Sequence, residues 1–278
     1  MNPMPRETLE YESPSGKRLV IGAGSSYRYG DTDLFDASWS YDVDSGDVTR
    51  LRREPRESTL TLYVDAPDEA SGLEARERLE DVLDEGVPYG RPGTLRCGEW
   101  YTRCLCVARR KDNWWFDGRL LEVELSLLRP SPAWTRDDDY AFSPDRAVES
   151  GWLDFPFDFP FDFSPNRAAR SISVDSAAPS DWRIVVYGPA SRPSVRIGDN
   201  EHRVDVDVPA GSLLIADSRD WSLILKGPDG VESDAFSRRI RGREGSGEFM
   251  WESIKPGTSA VTWDESFSWD LTVFVERG

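Results

Sequence analysis

The sequence predicts a mainly β protein with one α-helix, organised as two domains. Three observations carry this. Apolar side chains alternate with polar ones in several short stretches, of which Leu60, Leu62, Val64 and Leu121, Val123, Leu125, Leu127 are the cleanest. A single segment, residues 67–86, has helical spacing instead. From Arg170 onward short strand-like stretches recur roughly every ten residues with turn residues between them and no helix, the pattern of a β-sandwich. A chain of 278 residues is long enough for each domain to bury its own core.

In chain order, turn-rich sequence around Ser13-Pro14-Ser15-Gly16 and Gly22-Ala23-Gly24 surrounds a strand over Lys17–Ile21. Strands follow over Ala37–Val43 and Ser58–Val64. The helix opens on Pro67, Asp68 and Glu69, an acidic first turn that suits the helix dipole. Leu73, Leu79, Val82 and Leu83 form its apolar face, and Gly86 ends it. Three strands are then expected over Gly93–Cys97, Trp100–Arg109 and Arg119–Leu128. The connection Lys111–Gly118 carries Trp114 and Trp115, an adjacent pair suited to interface or rim packing more than to a ligand platform.

Arg129-Pro130-Ser131-Pro132 ends this sheet and places the domain boundary. The division expected is 1–133 for the first domain, 134–166 for an acidic, aromatic connector and 167–278 for the sandwich. From Asp137 to Phe163 there are eight acidic residues against one basic, which favours an extended chain. Within it, Phe155, Phe157, Phe159, Phe161 and Phe163 occupy alternate positions, with Asp154, Pro156, Asp158, Pro160 and Asp162 between them. The prolines exclude a helix interior and a central strand, so the five rings face one way along a surface or sheet edge. The strap either clamps its own domain or crosses a neighbouring subunit. In the sandwich, strands are expected over Ser171–Val174, Trp182–Gly188, Ser194–Ile197, His202–Val208, Ser212–Asp217, Ser222–Lys226, Glu248–Trp251, Thr258–Trp263 and Phe267–Val275.

Composition narrows function by exclusion. The 51 acidic and 34 basic residues leave a formal net charge of −17, which argues against a nucleic-acid backbone or an anionic membrane as the main partner. The two arginine clusters, Arg50, Arg52, Arg53, Arg56 and Arg238, Arg239, Arg241, Arg243, read as solvated surface or subunit contacts. The first residues lack the apolar core of a secretory signal, and no apolar run reaches transmembrane length. Cys97, Cys104 and Cys106 lie in one short stretch and read as buried free thiols, because a zinc site usually takes four ligands and the only histidine, His202, is far away in sequence. His202, at a turn entering a strand, reads as an ordinary surface residue. No nucleophile elbow, phosphate loop or spaced calcium-loop ligands occur, so no catalytic, cofactor or metal residues are assigned. Asp137-Asp138-Asp139 reads as a solvated acidic turn.

One resemblance adds to this. Gly198-Asp199-Asn200, Pro209-Ala210-Gly211-Ser212-Leu213-Leu214-Ile215-Ala216-Asp217, Pro228-Asp229-Gly230, Ile254-Lys255-Pro256-Gly257 leading into Ala260-Val261-Thr262-Trp263, and the ending Glu276-Arg277-Gly278 together resemble the C-terminal domain of siphophage distal tail proteins. The tract 154–163 looks like that family's interdomain segment. The match covers most of residues 150–278, with the N-terminal half agreeing in layout. It implies a hexameric ring made by the N-terminal domain at the end of the tail tube and galectin-like C-terminal sandwiches displayed outward. The partners it implies are other copies of the chain, the tail tube protein, tip and receptor-binding proteins, and the tape measure protein. Such a protein is assembled in the host cytoplasm and resides at the virion's tail tip. A lectin-like adhesin is the alternative, since Trp221, Trp251, Trp263 and Trp269 all fall in the sandwich, although the alternation places Trp269 in the core.

Overall fold

The computed structural model describes residues 8–111, 118–144 and 170–277. Its contacts divide the chain into two compact units, Met1–Arg136 with Glu276–Gly278, and Asp137–Val275.

The first unit is a closed β-barrel. Its strands are β1 (Leu9–Glu12), β2 (Arg18–Ile21), β3 (Tyr27–Thr32), β6 (Arg56–Asp65), β7 (Gly93–Cys97), β8 (Trp100–Lys111) and β9 (Leu120–Arg129). The order β8-β7-β1-β2-β3-β6-β9 returns to β8, which closes the circle. Closure relies on the length of β8: residues 100–104 pair with β7, and residues from Leu105 onward pair with β9. A bulge between Cys106 and Ala108 lies within the part paired with β9 and bends it locally. The tight seam is β6 against β9, in register from Arg56↔Arg129 to Asp65↔Leu120. The loose one is β2 beside β3, joined by the single parallel pair Ile21↔Tyr27.

Every second residue along these strands points inward. Leu60, Leu62 and Val64 of β6 meet Leu121, Val123, Leu125 and Leu127 of β9 in one buried cluster, as the alternation predicts. Cys97, Cys104 and Cys106 are free and buried in the same cluster, and burial pushes the Cys104 thiol up to about 12 and Cys106 up to about 11. The Cys104 and Cys106 thiols stay protonated and unreactive at neutral pH.

Helix α1 (Glu69–Asp84) adds Leu79, Val82 and Leu83 to this core. The Asp68 carboxylate caps its first turn by accepting from the Ser71 N–H at 2.8 Å, and the Tyr27 hydroxyl donates to the Ala75 carbonyl. Leu73 departs from expectation and is exposed. The buried stripe runs through Gly72, Ala75, Leu79, Val82 and Leu83 instead, and Gly72 is there because the helix touches backbone. A Cβ at Gly72 would lie 2.0 Å from the Gly118 carbonyl oxygen.

The second unit is a β-sandwich. One sheet has the order β19 (Glu232–Asp234), β18 (Ser222–Lys226), β17 (Leu213–Asp217), β12 (Asp181–Tyr187) and β21 (Trp269–Arg277). The other has β11 (Ser171–Val174), β20 (Gly257–Trp263), β14 (Ser194–Ile197) and β15 (Asn200–Arg203), and β13 (Ala190–Ser191) pairs with β16 (Asp207–Val208) at one side. Trp182 and Trp269 are fully buried between the layers, with Leu271 and Val273 beside them.

Three expectations fail here. Glu248–Trp251 is not a strand, because the Phe249 and Met250 carbonyls accept from the Asn200 amide and the His202 ring while the Met250 and Trp251 side chains are buried. His202–Val208 is two short strands rather than one. His202 is buried, not on the surface: the alternation along β15 turns Asn200 and His202 inward together. Strand β10 (Trp134–Phe142) also occupies the start of the segment expected to be a connector. Its Thr135 pairs with Tyr101 of β8. In the second unit, Asp139 accepts from the Thr272 hydroxyl at 2.6 Å and Phe142 stacks on Trp269 at 4.3 Å.

Candidate assembly surfaces

The residues that the sequence singles out for adhesion, Phe155, Phe157, Phe159, Phe161, Phe163, Trp114 and Trp115, lie outside the described residues. The described part of the first unit carries a different adhesive surface. Strands β4 (Ser40–Asp44) and β5 (Asp47–Arg52) pair only with each other, joined by Ser45-Gly46, both with positive φ as a two-residue hairpin turn requires. The register places Tyr41 opposite Leu51 and Val43 opposite Val48, so all four share one face. Tyr41 is 66% exposed, Leu51 60%, Val48 59% and Val43 56%. The other face holds Asp42, Arg50 and Arg52, with an Arg52–Asp42 ion pair at 3.4 Å.

Such a hairpin contradicts its own chemistry. A lone two-stranded ribbon is at best marginally stable in water, and an apolar stripe along it gains nothing while exposed. Among the described residues no other element pairs with it.

The root of the hairpin, in contrast, is held firmly. Arg129 is fully buried; its guanidinium donates to the Leu34 carbonyl at 2.8 Å and to the Pro132 carbonyl, and it lies 5.6 Å from the Trp134 ring. Burial lowers its pKa, so the surrounding carbonyls, rather than a salt bridge, hold the cation in place. The Trp134 indole N–H also donates to Leu34, and Phe35 stacks on Trp134 at 5.4 Å. Arg56 pairs with Asp33 at 2.9 Å. Burial pushes the Asp33 carboxyl up, but the Thr59 N–H and Arg56 outweigh it and hold the group below its usual range. Just past β5, Arg53 sits 4.4 Å over the exposed Trp39 ring. Among the described residues, then, an apolar arm is left uncovered above a well-anchored base.

Catalytic chemistry finds little support in the second unit. His202 donates through Nδ1 to the Met250 carbonyl at 2.8 Å, lies edge-on to Trp182 and is sealed from solvent. Burial pushes its pKa down to about 4. Among the described residues no group of three His, Cys, Asp or Glu side chains is placed to hold a metal ion, and no helix is long and apolar enough to cross a membrane.

A barrel with a projecting hairpin, followed in sequence by a β-sandwich, defines a two-unit scaffold fold of the Dit-like class. The solved structures make this specific. The chain matches the crystal structure of the Dit protein of phage SPP1, described as a hub of the adsorption apparatus in phages that infect Gram-positive bacteria, with TM-score 0.61 and 11% identity over 98% of this chain and 99% of that one. It matches a chain of the phage P2 baseplate in its activated conformation with calcium at TM-score 0.61 and 8% identity, over 99% of both chains. The strontium form of that baseplate gives 0.58 and 8% identity, over 98% of both. The fold is therefore like that of the SPP1 Dit protein and of this baseplate chain. No protein-family model matches the chain, and no curated protein matches it either.

Proposed function

We propose that this chain is the distal tail protein of a phage tail tip, a structural hub rather than an enzyme. Copies of it close into a hexameric ring through the first unit and join the tail tube to the tip and receptor-binding proteins. The sandwich is a peripheral scaffold, and the tape measure protein meets the ring from inside the tube. The observation that carries this reading is the uncovered hairpin β4–β5 on a Dit-like barrel. A ring needs a heterologous contact, one patch laid on a different patch of the next copy, and a projecting apolar arm with a rigid root is built for that. The net charge of −17 keeps single copies apart in solution, so closure depends on such a specific apolar contact. The phenylalanine strap at 154–163 supplies a second adhesive element in this reading.

Light scattering on the purified chain, with negative-stain images of the same sample, tests the proposal. The expected result is a hexamer or dodecamer with a central hole. The double variant Tyr41→Asp, Leu51→Asp is expected to run as a folded monomer with an unchanged melting temperature. A wild-type chain that stays monomeric both alone and with tail tube protein added would defeat the reading.

A further inference from the structure

The second unit carries an aromatic groove that the hub role does not use. Trp221 ends the turn between β17 and β18, where it is 54% exposed and adopts φ +54. Positive φ is rare and strained for a bulky side chain, so the surrounding structure must impose it. It does so on both sides. Before the turn, Arg219 donates from its backbone and guanidinium to the Asp217 carboxylate and lies 3.6 Å over the Phe274 ring. After it, the Ser222 N–H donates to Asp220 at 3.1 Å. One side of the indole rests on buried aromatics, nearly parallel to Trp251 at 6.4 Å and edge-on to Phe249 at 6.1 Å. Phe236 stacks on Trp251 from another side at 6.2 Å. The backbone is thus forced to present a rigid tryptophan to solvent.

Trp221 and Phe236 border an open groove of about 520 Å³, with Leu223 and Ile224 also lining it. Its polar lining is Asp220, Ser222, Glu232, Ser233 and Asp234. One oxygen of each carboxylate is already engaged: Asp220 with the Ser222 N–H, Asp234 with the Phe236 N–H, and Glu232 with Lys226.

We infer that this groove binds a neutral saccharide, with one sugar ring stacked on Trp221 and its hydroxyl groups donating to Asp220 and Asp234. The volume lies within the range of small-ligand sites. A pyranose ring presents a flat row of C–H bonds that suits the electron-rich face of an indole, and its hydroxyls are donors that carboxylates accept strongly. The acidic lining repels anionic ligands, phosphorylated or uronic sugars included, and it equally disfavours the chain's own Asp-bearing strap. The site is independent of ring formation, so it stands or falls separately from the hub reading.

Saturation-transfer NMR on the full chain, with tryptophan fluorescence as a second signal, tests this with glucose, galactose, N-acetylglucosamine and N-acetylgalactosamine as probes and choline as a cationic control. At least one sugar is expected to saturate the site with millimolar affinity. Trp221→Ala is expected to weaken it about tenfold or more, the loss of one aromatic stack plus its contact area. Trp221→Tyr should recover most of that binding, and Asp234→Asn should weaken it severalfold. Thermal melts of each variant separate lost binding from lost folding. Failure of all four sugars to bind, or sugar binding that Trp221→Ala and Asp234→Asn both leave untouched, overturns the inference. Choline binding in place of sugar overturns it too, and would assign the groove to organic cations.

Discussion

Strands β4 and β5 and strands β6 and β9 are both antiparallel pairs with an apolar face, yet those faces end in opposite environments. Leu62 of β6 is completely buried, whereas Leu51 of β5 is 60% exposed. Tyr41 and Val43 of β4 alternate as the leucines of β6 do, while a register shift puts Val48 and Leu51 of β5 on the same face as these two. The difference lies in what each ribbon finds on its apolar side: β6 and β9 enclose the barrel core with helix α1, and β4 and β5 extend from it with no covering element among the described residues. Alternation therefore reports that a strand has a face to bury, and it is silent on whether its own chain does the burying.

The largest effect that would sharpen this contrast comes from truncating the two leucines. Leu62→Ala should lower unfolding free energy by about 2–5 kcal/mol through lost transfer energy and a cavity, measured by urea denaturation. Leu51→Ala in the monomeric state should change it by less than about 0.5 kcal/mol while weakening self-association. If the two variants unfolded alike, the hairpin would belong to the fold and its role as an assembly arm would be lost.

A similar mismatch between residue type and place sits in the second unit, where a histidine is inside and a tryptophan is outside. His202 must remain neutral, since Nδ1–H already serves the Met250 carbonyl and Nε2 faces the Asn200 amide at 3.4 Å. Its folded pKa of about 4 lies below the usual 6.5, chiefly through burial, with the Met250 carbonyl and Glu252 pulling weakly the other way. The unfolded chain therefore binds a proton between those values and the folded chain does not. Stability from this group is complete above pH 6.5 and declines as pH falls towards 4, by roughly 3 kcal/mol in all. Melting temperature followed across that window should fall in the wild type and fall less in His202→Gln, with the remainder due to carboxylates such as Asp217 that ion pairs hold below their usual range. Parallel curves for the two proteins would show that His202 is not the acid-sensitive group.

The smallest of these effects concerns the helix. Alanine normally stabilises a helix relative to glycine by about 1 kcal/mol. Gly72→Ala should do the reverse, by roughly 1–3 kcal/mol, because the new methyl group meets the Gly118 carbonyl and the helix must move away from the barrel. A stabilised variant, read by thermal melts, would mean that the helix can shift freely and does not set the barrel's end.

Much of the fold was legible in the residues. Helix α1 was visible because Asp68 caps its start and a 3.6-residue stripe follows; Gly86 lies just past its end, but in the right-handed region at φ −85 rather than in the expected left-handed turn, and a Cβ there would lie 2.0 Å from the Arg91 carbonyl oxygen. Strands β6, β9 and β21 were visible because their alternation runs through seven or more residues. Strand β1 was hidden because four residues, Leu9–Glu12, are too few to show a period, and β5 because Asp47–Arg52 is mostly polar. In β10, the run Asp137-Asp138-Asp139 looks like solvated connector, and only the neighbouring strands give those backbone groups partners. As for adhesion, the aromatic strap announced itself through composition, whereas the hairpin's apolar face did not. Tyr41 and Val43 look like any half-buried strand until the other described residues are seen to leave them bare.

What the sequence determined by itself was local: the class of fold, helix α1, the long alternating strands, an acidic balance that argues against a nucleic-acid partner, and the buried thiols. These follow from backbone geometry and side-chain chemistry acting over a few residues. What only the tertiary structure decided was which faces are covered. The closing of β8 onto two partners, the burial of Arg129 and His202, the exposure of the hairpin and the outward thrust of Trp221 all depend on residues tens of positions apart. Burial is a property of the whole chain, because a side chain leaves water only when distant segments arrive to displace it.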